Sequence, residues 1–213
     1  MLSQAKYNSI IRHYEECFER HGDTHLGVDW PNELDAAKRY SVMLDVLRNP
    51  LVGMSLLDFG CGASHLYPIL KKTFPSITYA GLDASQIFCD FSQKKYPENT
   101  YYCLDVIKQA DQLPGFDFIV MNGVFTEKRG LNFDEMFDYF KQLLRIVFSK
   151  ARVGIAFNVM STFVDWERDD LFHLPLDLVG TFLTRELNRH FVIRNDYGLY
   201  EYTVYVYKES CYG

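Results

Sequence analysis

A glycine-rich turn that follows an aspartate is the first segment whose residue types could bind a small ligand. Residues 56–64 read LLDFGCGAS. Asp58 ends the apolar run, and Gly60 and Gly62 follow it. Glycine lets the main chain approach a ligand without an intervening Cβ, and free N–H groups at the start of the next helix favour a negatively charged group. Ser64 is predicted to cap that helix.

Two further acids make this turn more informative, because a purely structural turn between a strand and a helix also favours glycine. Asp83 ends the next apolar run, in YAGLDAS, and Asp105 ends the one after it, in YYCLDV. The carboxyl ends of neighbouring parallel strands line one edge of an open sheet, where ligands bind. We therefore expect Asp58, Asp83 and Asp105 to converge at that edge.

The elements that position these acids alternate between short apolar runs and helical patterns. Strands are predicted at Met54–Phe59, Ile77–Leu82, Tyr101–Leu104, Phe116–Met121 and Val153–Asn158. Helices are predicted at His65–Phe74, Ile87–Lys95 and Phe133–Phe148, the last with an apolar stripe at helical spacing. This alternation indicates an α/β fold in which a parallel sheet lies between two layers of helices.

The carboxyl-terminal part of the chain departs from the alternation. A helix predicted at Leu176–His190 is followed by strands at Phe191–Asp196 and Glu201–Lys208. The connection between these two strands is too short for a parallel crossover, so they must be antiparallel. The parallel sheet is therefore expected to end in an antiparallel hairpin.

The amino-terminal part holds two amphipathic helices, predicted at about Ala5–Arg20 and Glu33–Leu47. Asp29 or Asn32, with Pro31, provides a start for the second helix. This segment has too few apolar residues for a core of its own. We interpret residues 1–50 as a helical cover or lid on a sheet core of residues 51–213, within a single domain of residues 1–213.

Composition and charge narrow the class of partner. A net charge of −6 argues against a nucleic-acid partner, since phosphate contacts need clustered Lys and Arg, and so favours a small molecule. The odd number of cysteines, without a CxxC pair, favours free thiols in a reducing cytoplasm over disulfides or a metal site. Residues 1–20 contain spread charges and no apolar signal-peptide core, so we expect a soluble cytoplasmic protein without a membrane partner. The cysteines are Cys17, Cys61, Cys89, Cys103 and Cys211.

The quoted motifs resemble those of the class I S-adenosylmethionine-dependent methyltransferases, over about residues 50–160. The first motif of that family, acid-x-Gly-x-Gly-x-Gly, is matched by Asp58, Gly60 and Gly62, with Ser64 in place of the last glycine. The resemblance implies a Rossmann-like, mostly parallel, seven-stranded sheet that ends in an antiparallel hairpin. It also implies an enzyme that uses S-adenosyl-L-methionine and releases S-adenosyl-L-homocysteine.

The resemblance further implies which residues hold the methionine end of this cofactor. Gly60 and Gly62 are expected to lie against the methionine part, and Asp58 to help hold its amino group. In MNGVF, residues 121–125, backbone carbonyl groups near Asn122 and Gly123 are expected to face the same ammonium group. These assignments rest on the matched motif positions alone.

The nucleoside end of the cofactor is assigned in the same way. Asp83 resembles the acid that binds both ribose hydroxyls, with Ala84 beside the adenine, and Asp105 with Val106 resembles the pair that binds the adenine edge. Arg39 has the right chemistry to pair with the cofactor carboxylate, although a solvated helix face explains it equally well. The predicted set is Arg39, Asp58, Gly60, Cys61, Gly62, Asp83, Ala84, Asp105, Val106, Asn122 and Gly123.

Two alternative functions remain open at this point. An NAD(P)-dependent oxidoreductase on a similar sheet would also use an acid after the second strand. Ser64 and His65 leave the GxGxxG motif of that class without its third glycine, and Asp58 would repel a pyrophosphate. A non-catalytic, methyltransferase-like binding module is the second alternative, and the intact run of motifs argues against it.

The methyl acceptor is predicted to be a small molecule. MNGVF contains neither the Asn/Asp-Pro-Pro-aromatic stretch nor the Pro-Cys of DNA methyltransferases. An oxygen of a sugar, a carboxylate or a natural-product intermediate is the first choice of acceptor, and a nitrogen is the second. The sequence defines no oligomeric state.

Three histidines are candidates for a general base that removes a proton from the acceptor: His25, His65 and His173. The segments 21–31 and 160–175 lie where the family places its acceptor pocket and lid. Their tryptophans, Trp30 and Trp166, either contribute to specificity or simply anchor the loops.

Overall fold

Seven strands form one continuous sheet in the computed structural model, which describes residues 4–210. The strands are β1 (Ser55–Phe59), β2 (Thr78–Asp83), β3 (Thr100–Cys103), β4 (Phe116–Phe125), β5 (Ala151–Met160), β6 (Phe191–Arg194) and β7 (Glu201–Tyr207). Their order across the sheet is β3-β2-β1-β4-β5-β7-β6. Strands β1 to β5 are parallel, and β7 runs antiparallel to both β5 and β6. The predicted Rossmann-like sheet with its terminal antiparallel hairpin is confirmed.

Helices cover both faces of the sheet and its carboxyl edge. They are α1 (Gln4–His21), α2 (Glu33–Leu44), α3 (Leu66–Thr73), α4 (Gln86–Lys95), α5 (Val106–Gln109), α6 (Phe133–Lys150) and α7 (Leu176–Phe182). Short 3₁₀ turns lie at His25–Val28 and Ala110–Gln112. The helix predicted at Leu176–His190 is corrected, because the α-helical part ends at Phe182 and a π-helical turn continues to Leu187. Helix α5 was not predicted, since four residues are too few to show a helical period.

The central strands are buried on both faces, as parallel strands between helix layers must be. Leu57 and Ile119 lie in the cluster that contains the buried stripe of α6, whereas Leu56 and Phe118 lie in the cluster with α3 and the end of α2. Adjacent residues of β1 and of β4 thus face opposite layers. This alternation brings the ends of these strands to one edge of the sheet.

The second helix of the cover begins and ends at defined residues. Of the two predicted starts, Asn32 is the N-cap, and its side-chain oxygen accepts a hydrogen bond from the Asp35 amide at 3.1 Å. Asp29 instead ends the 3₁₀ turn in a left-handed conformation, with φ of 59°. Helix α2 stops at Leu44, three residues before the predicted end at Leu47.

Two local predictions around the ligand edge are wrong. Ser64 does not cap α3: it has φ of 57°, and its hydroxyl donates to Ser92 Oγ at 2.9 Å, while His65 occupies the N-cap position. The segment MNGVF lies inside β4 rather than after it, because β4 continues to Phe125 through a register shift opposite β5.

Two expectations about the environment of the chain meet the structure only in part. Within residues 4–210, no helix is both long and apolar enough to cross a membrane. The described cysteines, Cys17, Cys61, Cys89 and Cys103, are all free thiols. Cys211 lies outside the described residues.

Candidate functional site

One cavity of about 140 Å³ lies at the carboxyl edge of the parallel strands. Ten of the eleven residues predicted to bind a cofactor line it: Asp58, Gly60, Cys61, Gly62, Asp83, Ala84, Asp105, Val106, Asn122 and Gly123. Arg39 and the three candidate histidines are not among its lining residues. The convergence expected from the ends of β1, β2 and β3 is thus present in the fold.

Two parts of the chain make the wall of this cavity. We call the residues at and after the ends of β1 to β4 the sheet wall: Asp58–Gly62, Leu82–Ser85, Phe88, Leu104–Ile107 and Asn122–Val124. We call the residues from the amino-terminal segment the cover wall: Tyr7, Ile10, Ile11, Tyr14, Val28, Trp30 and Tyr40. Tyr139 and Leu143 of α6 complete the lining.

The glycine turn of the sheet wall is fixed by its own backbone. Gly60 has φ of 72° and donates its N–H to the Leu82 carbonyl at 2.7 Å. Cys61 donates to the same carbonyl at 3.0 Å, and Gly62 donates to a carboxylate oxygen of Asp83 at 3.0 Å. A Cβ on Gly60 would lie only 2.8 Å from Val124 Cγ2, so glycine is required there by both angle and space. These three N–H groups are already bonded and therefore do not serve an anionic ligand.

Asp83 is held in place by the turns on either side of it. Its two carboxylate oxygens accept hydrogen bonds from the backbone N–H groups of Gly62 and Ser85, each at 3.0 Å. Burial raises the pKa of Asp83, although these backbone N–H groups oppose the shift. The side chain is thus a positioned hydrogen-bond acceptor at the end of β2.

Asp58 is the most deeply buried acid of the cavity, with only 3% of its surface exposed. Burial raises the pKa of its carboxyl to about 7; a hydrogen bond from Tyr79 opposes the shift, and the charge of Asp83 adds to it. The Tyr79 hydroxyl donates to Asp58 Oδ2 at 3.0 Å. A cation placed beside this carboxylate would favour its ionised form.

Asp105 differs from the other two acids because side chains from two helices satisfy it. The Tyr7 hydroxyl donates to Asp105 Oδ2 at 2.5 Å, and Lys108 Nζ lies 2.7 Å from the same oxygen. Burial opposes ionisation, but the hydrogen bonds from Lys108 and Tyr7 hold the pKa of Asp105 below its ordinary value. Val106, the first residue of α5, follows it in the cavity wall.

The end of β4 supplies the two remaining predicted residues. Gly123 has φ of 80°; its N–H donates to Asn158 Oδ1 at 2.8 Å, and its carbonyl accepts from Tyr14 at 3.2 Å and Thr126 at 3.0 Å. The Gly123 carbonyl therefore already has two protein donors. Asn122 Oδ1, by contrast, is buried and has no hydrogen-bond partner among the described residues. It is an acceptor that a ligand N–H can satisfy.

The aromatic residues of the cover wall were not predicted as site residues. Tyr7, Ile10, Ile11 and Tyr14 lie at helical spacing on α1, a pattern that is also typical of ordinary core packing. Tyr7 reaches the end of β3 and Tyr14 the end of β4 through the hydrogen bonds described above. The two residues are about 10 Å apart along α1, and those strands are about 14 Å apart across the sheet, so α1 spans the whole edge.

Arg39 and Trp30 form the second contact between cover and sheet. The Arg39 guanidinium lies 4.2 Å from the centre of the Trp30 ring, and Arg39 Nε donates to Glu201 Oε2 at 2.8 Å. Glu201 is 1% exposed and also accepts from Asn158 at 3.1 Å. Arg39 thus pairs with a protein carboxylate rather than standing free for a ligand, although its buried NH1 has no hydrogen-bond partner among the described residues.

The three candidate histidines lie outside the cavity lining and have protein partners or other surroundings. His173 is buried, with Nδ1 2.6 Å from the Ser161 carbonyl and Nε2 accepting from the Arg168 amide at 3.2 Å. His65 Nε2 lies 2.8 Å from Asp23, and burial lowers the pKa of His65. His25 begins the 3₁₀ turn of the cover. None of these positions supports a direct proton transfer in the cavity.

A charged cluster lies behind Tyr14 and joins the cover to the end of β4. His13 Nε2 is 2.6 Å from Asp29 Oδ2, and Arg129 contacts both the His13 ring and Glu127. His13, Cys17 and Asp29 bring atoms of metal-binding type within 4.8 Å of one another. However, the short separation of His13 and Asp29 is that of a hydrogen bond, and Arg129 already supplies a cation there. The prediction of no metal site stays a prediction.

Comparison with known proteins agrees with the motif resemblance. Residues 57–146 match a family model described as a methyltransferase domain. A protein of Mycobacterium tuberculosis named "Putative methyltransferase Rv1506c" is 25% identical over 158 residues, which cover 73% of this chain and 94% of that protein. The chain belongs to the class I S-adenosylmethionine-dependent methyltransferases. The predicted enzyme class and cofactor are confirmed as properties of that family.

Solved structures agree with this family at the level of the fold. Magnesium protoporphyrin IX methyltransferase from Synechocystis PCC 6803 superposes with a TM-score of 0.64 at 16% identity, over 94% of this chain and 96% of that one. Human N-acetylserotonin methyltransferase superposes with a TM-score of 0.61 at 12% identity, over 97% of this chain and 66% of that one. At such low identity these likenesses concern the fold alone.

Proposed function

We propose that this methyltransferase moves the methyl group of S-adenosylmethionine to an oxygen of a small-molecule acceptor. The observation that carries the proposal is the convergence of ten motif residues, three of them aspartates, around one cavity. A nitrogen acceptor is the second choice. The acceptor is bound under the helical cover of residues 1–50, and the sheet core of residues 51–213 binds the cofactor within the same domain.

The methionine end of the cofactor fits the end of β1 and β4. Asp58 and the unpartnered Asn122 Oδ1 offer acceptors for its ammonium group, and Gly60 and Gly62 leave room for its chain. The Gly123 carbonyl contributes less than the motif suggested, because Tyr14 and Thr126 already donate to it. When bound, the cofactor supplies an electrophilic methyl group on a sulfonium.

The nucleoside end fits the ends of β2 and β3. Asp83 accepts from the ribose hydroxyls, beside Ala84, and Asp105 with the N–H of Val106 binds the adenine edge. The protein orients both ends through fixed acceptors, and the cover excludes water from the reacting atoms. Arg39 can reach the cofactor carboxylate only through its NH1, since its Nε is bonded to Glu201.

A dinucleotide fits this cavity poorly. Its pyrophosphate needs cations or free N–H groups, yet no Lys, Arg or His is among the described lining residues. The N–H groups of Gly60, Cys61 and Gly62 are bonded within the protein. A cofactor with an ammonium and a sulfonium matches the three carboxylates instead.

Isothermal calorimetry with S-adenosylhomocysteine and NAD⁺ tests the proposal. We expect saturable binding of S-adenosylhomocysteine and a loss of that binding in Asp83→Ala. The matched control is Asp138→Ala, which removes an exposed acid whose side chain pairs locally with Lys141. Binding of NAD⁺ without binding of S-adenosylhomocysteine would overturn the proposed function.

A further inference from the structure

The cover wall concentrates aromatic rings at the methionine end of the cavity. Tyr14 bonds to the Gly123 carbonyl, and Trp30 and Tyr40 line the same cavity. Within the sheet wall, the groups opposite them are Asp58, Asn122 and Gly123. A ligand that enters between the cover and this end of the cavity therefore meets aromatic faces first.

Trp30 is fixed in place rather than loosely packed. A Cβ on Gly123 would lie 2.9 Å from Trp30 Cζ2 and 3.3 Å from Cη2, so the indole rests directly against the backbone of Gly123. The Arg39 guanidinium lies 4.2 Å from the ring centre and is itself held by Glu201. A ring that is immobilised in this way is a preformed stacking platform, because little side-chain entropy is lost when a ligand binds.

The charges of the cavity exclude an anionic acceptor. Its ionisable lining residues are aspartates, tyrosines and one cysteine, and no cationic side chain is among the described lining residues. A carboxylate placed beside Asp58 would be desolvated without a counter-charge and repelled by the neighbouring acids. Neutral and cationic acceptors do not meet this penalty.

We propose that the acceptor is a planar aromatic molecule, neutral or cationic, that stacks on Trp30 between Tyr14 and Tyr40. This inference rests on the proposed function and narrows it, because it rejects carboxylates and sugars as acceptors. The nucleophile is then a hydroxyl or amine attached to the ring. Stacking and desolvation orient the ring, and no cationic residue takes part in its recognition.

Four probes compared by calorimetry on the protein saturated with S-adenosylhomocysteine test this class. They are 2-naphthol, 2-naphthylmethylammonium, 2-naphthoate and glucose, of which the first three share one ring and differ in charge. We expect the neutral and cationic probes to bind at least about tenfold more tightly than naphthoate, and glucose not to bind. Equal or tighter binding of naphthoate, or of glucose, would overturn the inference.

Variants locate the stacking site. We expect Trp30→Leu to weaken 2-naphthol binding at least about tenfold more than it weakens S-adenosylhomocysteine binding, and Trp30→Phe to restore most of the loss. Trp166→Leu is the control, since Trp166 is 73% exposed and does not line the cavity. Equal naphthol affinity in Trp30→Leu and Trp166→Leu would contradict the assignment.

The two proposals fail in different ways. A wild-type protein that does not bind S-adenosylhomocysteine contradicts the proposed function itself. A protein that binds S-adenosylhomocysteine but none of the three naphthyl probes contradicts only the aromatic acceptor. The cofactor and acceptor measurements are therefore read separately, on the same preparation.

Discussion

The sheet wall and the cover wall enclose the same cavity but are held together differently. Asp83, in the sheet wall, is fixed by backbone N–H groups at Gly62 and Ser85. Trp30, in the cover wall, is fixed by side chains, and its stacking partner Arg39 depends on Glu201, 162 residues further along the chain. The sheet wall is thus a product of local turn geometry, whereas the cover wall depends on distant packing.

This difference indicates a division of labour between the two walls. Positions that backbone geometry fixes suit a ligand that never changes, and we propose that they hold the cofactor. Positions that side chains fix can be altered without disturbing the sheet, and we propose that they select the acceptor. The predictions below separate these two dependences, beginning with the largest expected effect.

Removal of Arg39 should destabilise the protein by about 3 kcal/mol, because Arg39→Ala leaves Glu201 buried without its cation. Glu201 is 1% exposed and keeps only neutral partners. Urea unfolding measures the loss. Arg145→Ala is the matched control, since it breaks an exposed ion pair with Glu186 and should cost less than about 1 kcal/mol. Equal losses in the two variants would show that the cover does not depend on this pair.

Gly123→Ala should destabilise the protein by about 2 kcal/mol through the contact that joins the two walls. The new Cβ meets Trp30 at 2.9 Å, and the φ of 80° is unfavourable for alanine. A double-mutant cycle with Trp30→Leu separates these two causes, because leucine relieves the clash and leaves the backbone strain. Gly180→Ala is the control, since nothing lies within 4 Å of its added Cβ. A coupling energy of zero in the cycle would contradict the close contact between Trp30 and Gly123.

The sequence was sufficient to predict the sheet wall because its signals are local. Each aspartate ends an apolar run, and parallel strands bring such ends together without further information. The seven-stranded sheet and its final hairpin followed from the motif resemblance and from a connection too short for a crossover. Even here the details escaped prediction: Ser64 caps no helix because its hydroxyl donates to Ser92, a partner 28 residues away.

The cover wall was not predictable for the opposite reason. The stripe of Tyr7, Ile10, Ile11 and Tyr14 has the spacing of any helix that packs on a core, and only the fold decides that it faces a cavity. The histidines were chosen by chemical type, yet their positions in the fold give His65 and His173 protein partners. Contacts between residues far apart in sequence, such as Arg39 with Glu201, leave no local pattern.

Asp83→Ala should weaken S-adenosylhomocysteine binding about 30-fold, the upper range for a hydrogen bond to a charged acceptor. The loss combines the missing ribose contact with the release of the Gly62 N–H. Calorimetry at fixed pH measures the change. Trp30→Leu, in the other wall, should have the smaller effect on this ligand. A larger effect from Trp30→Leu would reverse the proposed division of labour.

The affinity for S-adenosylhomocysteine should rise with pH up to about 7 and then level off. Burial raises the pKa of Asp58 to about 7, so below that pH the free protein holds a neutral carboxyl where we propose that an ammonium binds. Binding then requires loss of a proton, and affinity changes by up to about tenfold per pH unit below the pKa. Asp83, Tyr79 and Cys61 are the other titratable groups that act on Asp58 or are acted on by it.

Calorimetry from about pH 6 to about pH 8 measures this slope, and Asp58→Asn removes the group responsible for it. Burial also raises the pKa of Glu127 to about 7, but Glu127 does not line the cavity and is still present in Asp58→Asn. A slope that survives in Asp58→Asn therefore belongs to Glu127 and to the cluster that joins the cover to β4. A slope that disappears belongs to the sheet wall, and pH then affects cofactor binding through the wall that backbone geometry fixes.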